Sequence, residues 1–173
     1  DAPADPVTLI ERLNERAARH GVGRGTHVGD TILGIKGRVA FEAPAAVTLI
    51  SAHRELEKLV LSRHQLFWKA TLGDLYGSFM HEARFFDPLM RDIEAFLTSS
   101  QQRVTGTVHV RLHQGQAIVL GATSPYSLMD RDIALYGEKS SLWSGDEAAA
   151  FSKIYGLPDA LLQKSLAKGD ASV

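Results

Sequence analysis

Three glycines at alternate positions, Gly21, Gly23 and Gly25, and seven histidines without a single cysteine are the features of this 173-residue chain from which chemistry could be built. A glycine-rich turn beside Arg24 can cradle a phosphate with exposed backbone N–H groups. Phosphate loops lead from a strand into a helix N-terminus, however, and GVGRG follows a helical pattern and precedes an extended one, so a helix stop and turn is the preferred reading. His109 and His113 fall four apart in an alternating segment, roughly 13 Å apart by strand rise, too far to share one metal ion. His53 sits among apolar residues at helical spacing, which predicts a neutral core imidazole bonded to backbone. His20, His27, His64 and His81 share no metal-ligand spacing. Ser165 and Lys168 match S-x-x-K only formally, in a terminal helix, and are read as coincidence. Lys36, Arg38 and Glu42 share one parity of an alternating run; they could bind a carboxylate and an amine, or equally form a solvated strand face.

The elements that would carry these residues follow from start signals and periodicity. Asp5-Pro6 opens a helix that Gly21 closes, with Leu9, Ile10, Leu13 and Ala17 on one stripe. Thr31 to Ala43 alternates, Leu33, Ile35, Val39 and Phe41 against Lys36, Arg38 and Glu42, and predicts a half-buried strand. From Ala46 to about Ser62 a helix puts Leu49, Ile50, His53, Leu56 and Val60 on a single face. A second helix carries Leu72, Leu75, Tyr76 and Phe79, and its Gly73 and Gly77 predict close approach of another backbone. Asp87-Pro88 opens a third, with Leu89, Ile93, Phe96 and Leu97. Val104 to Leu112, a Gln114-Gly115 turn and Ala117 to Leu120 form a hairpin with one wet face. Ser144 and Glu147 have capping-box spacing ahead of Phe151, Ile154 and Tyr155. Pro158 starts a last helix with Leu161, Leu162 and Leu166, followed by a frayed tail, KGDASV. Long helices mixed with antiparallel strands make the fold class α+β.

Composition narrows the function. With 19 basic and 20 acidic residues the chain has no footprint for nucleic acid or an anionic membrane, and no apolar run approaches the roughly 18 residues of a membrane span. The absence of cysteine excludes thiolate chemistry and disulfides. DAPADP lacks the basic start and apolar run of a signal peptide, and a chain beginning at Asp1 reads as a piece of something longer. At this length one hydrophobic core is the expectation.

Read in order, His20-Gly-Val-Gly-Arg24, Gly34-x-Lys36-x-Arg38 leading to Glu42-x-Pro44, Ala52-His-Arg-x-Leu-Glu57, Val104-Thr-Gly-Thr-Val108 and Ser124-Pro-Tyr-Ser-Leu128 resemble the C-terminal portion of argininosuccinate synthase, from about Pro6 to Pro158. That resemblance implies a ligase that joins citrulline and aspartate through citrullyl-AMP, releasing AMP and pyrophosphate in arginine biosynthesis. The family's S-G-G-x-D-[ST]-S loop is absent. ATP with its Mg²⁺, aspartate and most of citrulline would therefore be held by an N-terminal part outside this chain, leaving no catalytic, cofactor or metal residue here. Residues 1–156 would be the end of the synthetase domain, and 157–173 the helix and tail used in building a cytoplasmic homotetramer. The resemblance implies citrulline contacts from Gly29, Asp30, Lys36, Arg38 and Phe41. Two of these depart from the family, which commonly has Glu at the position of Gly29 and Tyr at that of Phe41. Asp30 is the neighbouring carboxylate that could replace the Glu, and Phe41 also has a plain reading as core. A non-catalytic assembly module with an altered substrate site is the alternative.

Overall fold

The computed structural model describes residues 5–130 and 142–170. Asp5 begins α1 (Pro6–Arg19) by accepting from the N–H groups of Val7 and Thr8 with one carboxylate oxygen. The helix ends in a left-handed glycine: Gly21, at φ +71°, lets its N–H reach Ala18 O and that of Val22 reach Ala17 O. Ala17 and Val22 are thereby pulled together and are almost fully buried.

Two antiparallel strands follow, β1 (Arg24–Asp30) and β2 (Lys36–Glu42), paired from Arg24↔Glu42 to Asp30↔Lys36. Pro44 opens α2 (Pro44–Val60) without a capping side chain of its own; Asn14 of α1 reaches across to accept from the Ala45 N–H at 3.1 Å. A Ser62–Gln65 capping box starts α3 (Arg63–His81), and Asp87 caps α4 (Pro88–Gln101). The second hairpin, β3 (Thr107–His113) and β4 (Gln116–Thr123), turns through Gln114 and Gly115, both at positive φ as a tight hairpin requires. Within residues 1–128 α1 and the second hairpin pack on α2, and α3 packs on α4. The buried apolar residues are Ala17, Val22, Ala45, Leu56, Val60, Leu61, Met90 and Ile93. The architecture is α+β, with two separate two-stranded sheets.

Contacts divide the chain into two compact units, Asp1–Leu128 and Met129–Val173. The second contains α5 (Gly145–Tyr155), started by the expected Ser144–Glu147 capping box, and α6 (Leu157–Asp170). Helix α6 runs on through Lys168 to Asp170, where fraying was expected; the last three residues of that tail lie outside the described residues.

Several expectations are corrected. The segment Arg24–Asp30 is a strand, although its two glycines hide it, and the alternating run from Thr31 is strand only from Lys36. That strand is not half-buried. All seven of its residues are exposed, and Phe41 is 42% exposed rather than core. On α2 the predicted face splits: Leu56 and Val60 are buried, whereas Leu49, Ile50 and His53 point outward. At its start the helix turns Ala45 and Thr48 inward, where Asn14 of α1 accepts from the Ala45 N–H. The expected backbone contact at Gly73 and Gly77 is absent, with nothing within 4 Å of a Cβ at either. The wet and part-buried faces of the second hairpin alternate as predicted, and His109 and His113 are surface residues.

Candidate functional site

Alternation along β1 and β2 sorts the five sequence-selected residues onto two faces. Gly29 and Phe41 share one face with Gly25, His27, Gly37 and Val39; Asp30, Lys36 and Arg38 lie on the other with Arg24, Val28 and Glu42. The structure therefore does not bring the five together as one cluster. The second face is zipped at both ends by cross-strand ion pairs, Arg24–Glu42 at 3.1 Å and Asp30–Lys36 at 2.7 Å. Both are exposed, worth about 1 kcal/mol or less each. The Asp30 carboxylate is thus engaged by Lys36 rather than directed at the space beside Gly29.

The first face carries no formal charge and packs on itself. The Phe41 ring lies over its cross-strand partner Gly25, where a Cβ would stand 2.8 Å from Phe41 Cζ. Two residues along, the His27 imidazole leans over Gly29, where a Cβ would stand 2.6 Å from Nε2. Each glycine makes room for a ring, as aromatic cover of a strand glycine does elsewhere.

Beyond this hairpin an open groove of about 640 Å³ runs between its tip and α3. His27, Asp30, Thr31 and Ile32 form one wall, and Gly73, Asp74, Gly77, Ser78, His81 and Glu82 the other. The His81 ring nitrogen bonds Asp30 O at 3.1 Å, tying α3 to the tip. Glu82 is paired with Arg84 at 2.9 Å, and the Ser78 hydroxyl donates to the carbonyl of Asp74. The glycines expected to meet another backbone instead give the groove an open floor.

GVGRG contributes no phosphate cradle of its own. Gly21 ends α1, Gly23 is held so close to Ala43 that a Cβ would stand 2.6 Å from its carbonyl carbon, and Gly25 lies beneath Phe41. Among the described residues no group of three His, Asp or Glu side chains is placed to hold a metal ion. A second polar centre surrounds Glu57, which is only 2% exposed. Its carboxylate accepts from Lys69 at 3.0 Å and from Gln101 at 2.9 Å, and His53 approaches at 3.2 Å. His53 also bonds the Gln101 side chain, so it is a half-exposed member of a side-chain network and not a core imidazole bonded to backbone. This network joins α2, α3 and α4.

His27 and the glycine side of α3 escaped the sequence reading. The Gly25-x-His27-x-Gly29 alternation was the available signal, since glycines flanking a ring residue at strand period mark a face that must stay open.

Comparison with known proteins assigns the class first. Residues 1–162 match the family described as Arginosuccinate synthase C-terminal domain, and the chain belongs to that family. Particular relatives follow: it is 40% identical over 167 residues to the argininosuccinate synthase of Thermosynechococcus vestitus, covering 96% of this chain and 41% of that protein. Identity is 45% over 166 residues to the protein of that name in Symbiobacterium thermophilum, with 94% of this chain and 41% of the relative covered. It is 43% over 153 residues for the one in Methanocaldococcus jannaschii, covering 88% and 38%. The chain spans about two fifths of the length of these relatives and corresponds to their C-terminal portion. No helix among the described residues is long and apolar enough to cross a membrane.

Proposed function

We propose that the chain is the C-terminal part of a cytoplasmic ligase that joins citrulline to aspartate using ATP, giving argininosuccinate in arginine biosynthesis. The observation that carries this reading is the family match over residues 1–162, joined to 40–45% identity with proteins named argininosuccinate synthase. In this reading ATP, Mg²⁺ and aspartate are held outside the chain. The uncharged face of the first hairpin, with Gly29 and Phe41, lies along the citrulline site, and Asp30, Lys36 and Arg38 on the opposite face steady the hairpin or meet a neighbouring segment. Leu161, Leu162 and Leu166, each more than half exposed on α6, are the surface for homotetramer contacts. Neither nucleic acid nor a membrane is a partner.

Pyrophosphate release from ATP with citrulline and aspartate tests the proposal. The full-length protein should turn over, and the isolated chain should not, because nothing in it would clamp the transferring phosphoryl group. Release by the isolated chain above background would overturn the division of labour, and none from the full-length protein would overturn the activity.

A second reading, a non-catalytic assembly module, is favoured by one observation: on the hairpin face the Phe41 ring packs onto its own Gly25. It predicts a full-length protein that forms the oligomer and makes no argininosuccinate.

A further inference from the structure

We propose that His27 is the specificity-determining side chain of the hairpin face, presenting an imidazole hydrogen-bond acceptor to an N–H group of the ligand. This rests on the reading above that the face lies along the citrulline site. The first argument is space. A side chain at position 29 would start 2.6 Å from His27 Nε2, so the two positions compete for one volume, and in this chain the imidazole holds it. Whatever a ligand meets here is offered by residue 27, two residues earlier on the same face.

The second argument is availability. Around the groove the other polar groups have partners: Asp30 has Lys36, Glu82 has Arg84, and His81 bonds Asp30 O. Among the described residues, no side-chain partner is present for His27 or for the carboxylate of Asp74 on the opposite wall. A carboxylate only accepts hydrogen bonds, and a neutral imidazole has one accepting nitrogen. Two free acceptors facing a groove of about 640 Å³ with a glycine floor suit a small molecule that supplies N–H donors from both sides. Such donors come from an ammonium or from a planar ureido group, and citrulline has both.

The test uses the full-length protein with His27→Ala, His27→Gln, Gly29→Glu and the His27→Ala/Gly29→Glu double variant. His27→Ala should raise the KM for citrulline about tenfold, the loss of one hydrogen bond to a polar ligand, with kcat changed less than about twofold. His27→Gln, which keeps a neutral acceptor, should recover most of that loss. Gly29→Glu should lower the melting temperature in the presence of His27 and not in its absence, because the added side chain and the ring cannot share the space. N-propylurea and norvaline, the two halves of citrulline, identify the donor. Weaker inhibition by N-propylurea in His27→Ala assigns the ureido N–H, and weaker inhibition by norvaline assigns the amine. An unchanged KM in His27→Ala, or loss of affinity for neither half, would overturn the role. A wild-type protein that makes no argininosuccinate would instead defeat the functional reading, while the melting temperatures and direct calorimetric titration of the two half-molecules would still decide whether His27 and Gly29 are coupled and whether His27 binds an N–H donor.

Discussion

The two hairpins of the first unit are built alike and live in different surroundings. Each is an antiparallel pair with seven paired positions. In β3–β4 the residues Val108, Val110, Leu112, Ala117, Val119 and Ala122 are part-buried, because α2 lies against that face. In β1–β2 only Gly25 and Gly29 are part-buried, while Val28, Val39 and Phe41 are 57%, 60% and 42% exposed. Strand pattern therefore reports which residues share a face, and the neighbour decides whether that face is core. A single exposed hairpin is marginal by itself. Its glycines, cross-strand ion pairs and the His81 contact hold β1–β2 in place of a packed face.

The comparison is broken or sharpened most strongly by truncating one apolar side chain in each hairpin's neighbourhood. Leu56→Ala, on α2 beneath the second hairpin and 7% exposed, should cost about 3 kcal/mol in urea unfolding. Phe41→Ala should cost less, about 1–2 kcal/mol, since Phe41 is 42% exposed and gives up only part of its surface to burial. Equal losses would mean that β1–β2 shares the core, and the distinction between the hairpins would fall.

Next in size is Glu57→Ala, which leaves Lys69 without its carboxylate and unties α2 from α3 and α4. Complete burial of both partners would make this a loss of about 3–5 kcal/mol; Lys69 is 31% exposed, and about 2 kcal/mol is expected, read from the urea midpoint. A Glu57→Ala, Lys69→Met double variant should recover part of it. A loss below 0.5 kcal/mol, on the order of an ordinary surface change, would show that the network is incidental.

Lys36→Ala removes the ion pair at the tip of the exposed hairpin and should change stability by less than about 0.5 kcal/mol, with the small difference vanishing in high salt. A salt-independent loss above 1 kcal/mol, roughly the ceiling for an exposed pair, would make the zipper structural and narrow the gap between the hairpins.

The smallest effect concerns pH, at the start of α5 in the second unit. The Ser144 N–H and hydroxyl hold the Glu147 carboxyl below the ordinary value. The folded cap thus binds a proton less readily than the unfolded chain, so its contribution is present above the usual glutamate range and is lost as pH falls through the lowered value. Amide exchange of the first turn of α5 should speed up over that acidic window, and Glu147→Gln should remove the pH dependence. An unchanged window in Glu147→Gln would assign the fraying to another group.

What the sequence determined by itself is local. Asp5-Pro6, Asp87-Pro88, Ser144 with Glu147 and the Gln114-Gly115 turn each specify an end or a reversal, since a cap or a positive-φ turn satisfies backbone groups within a few residues. The family was also legible, because ordered motifs along most of the chain carry it whatever the packing. The tertiary structure alone decided burial and the make-up of the candidate site. Phe41 has the pattern of core and stands exposed, His53 joins a polar network across three helices, and Gly73 and Gly77 floor a groove where close packing was expected. The physical reason is that burial and hydrogen-bond partnership belong to pairs of elements far apart in sequence. Periodicity reveals that a face exists, and only the packing of α2, α3 and the hairpin tip settles what it meets.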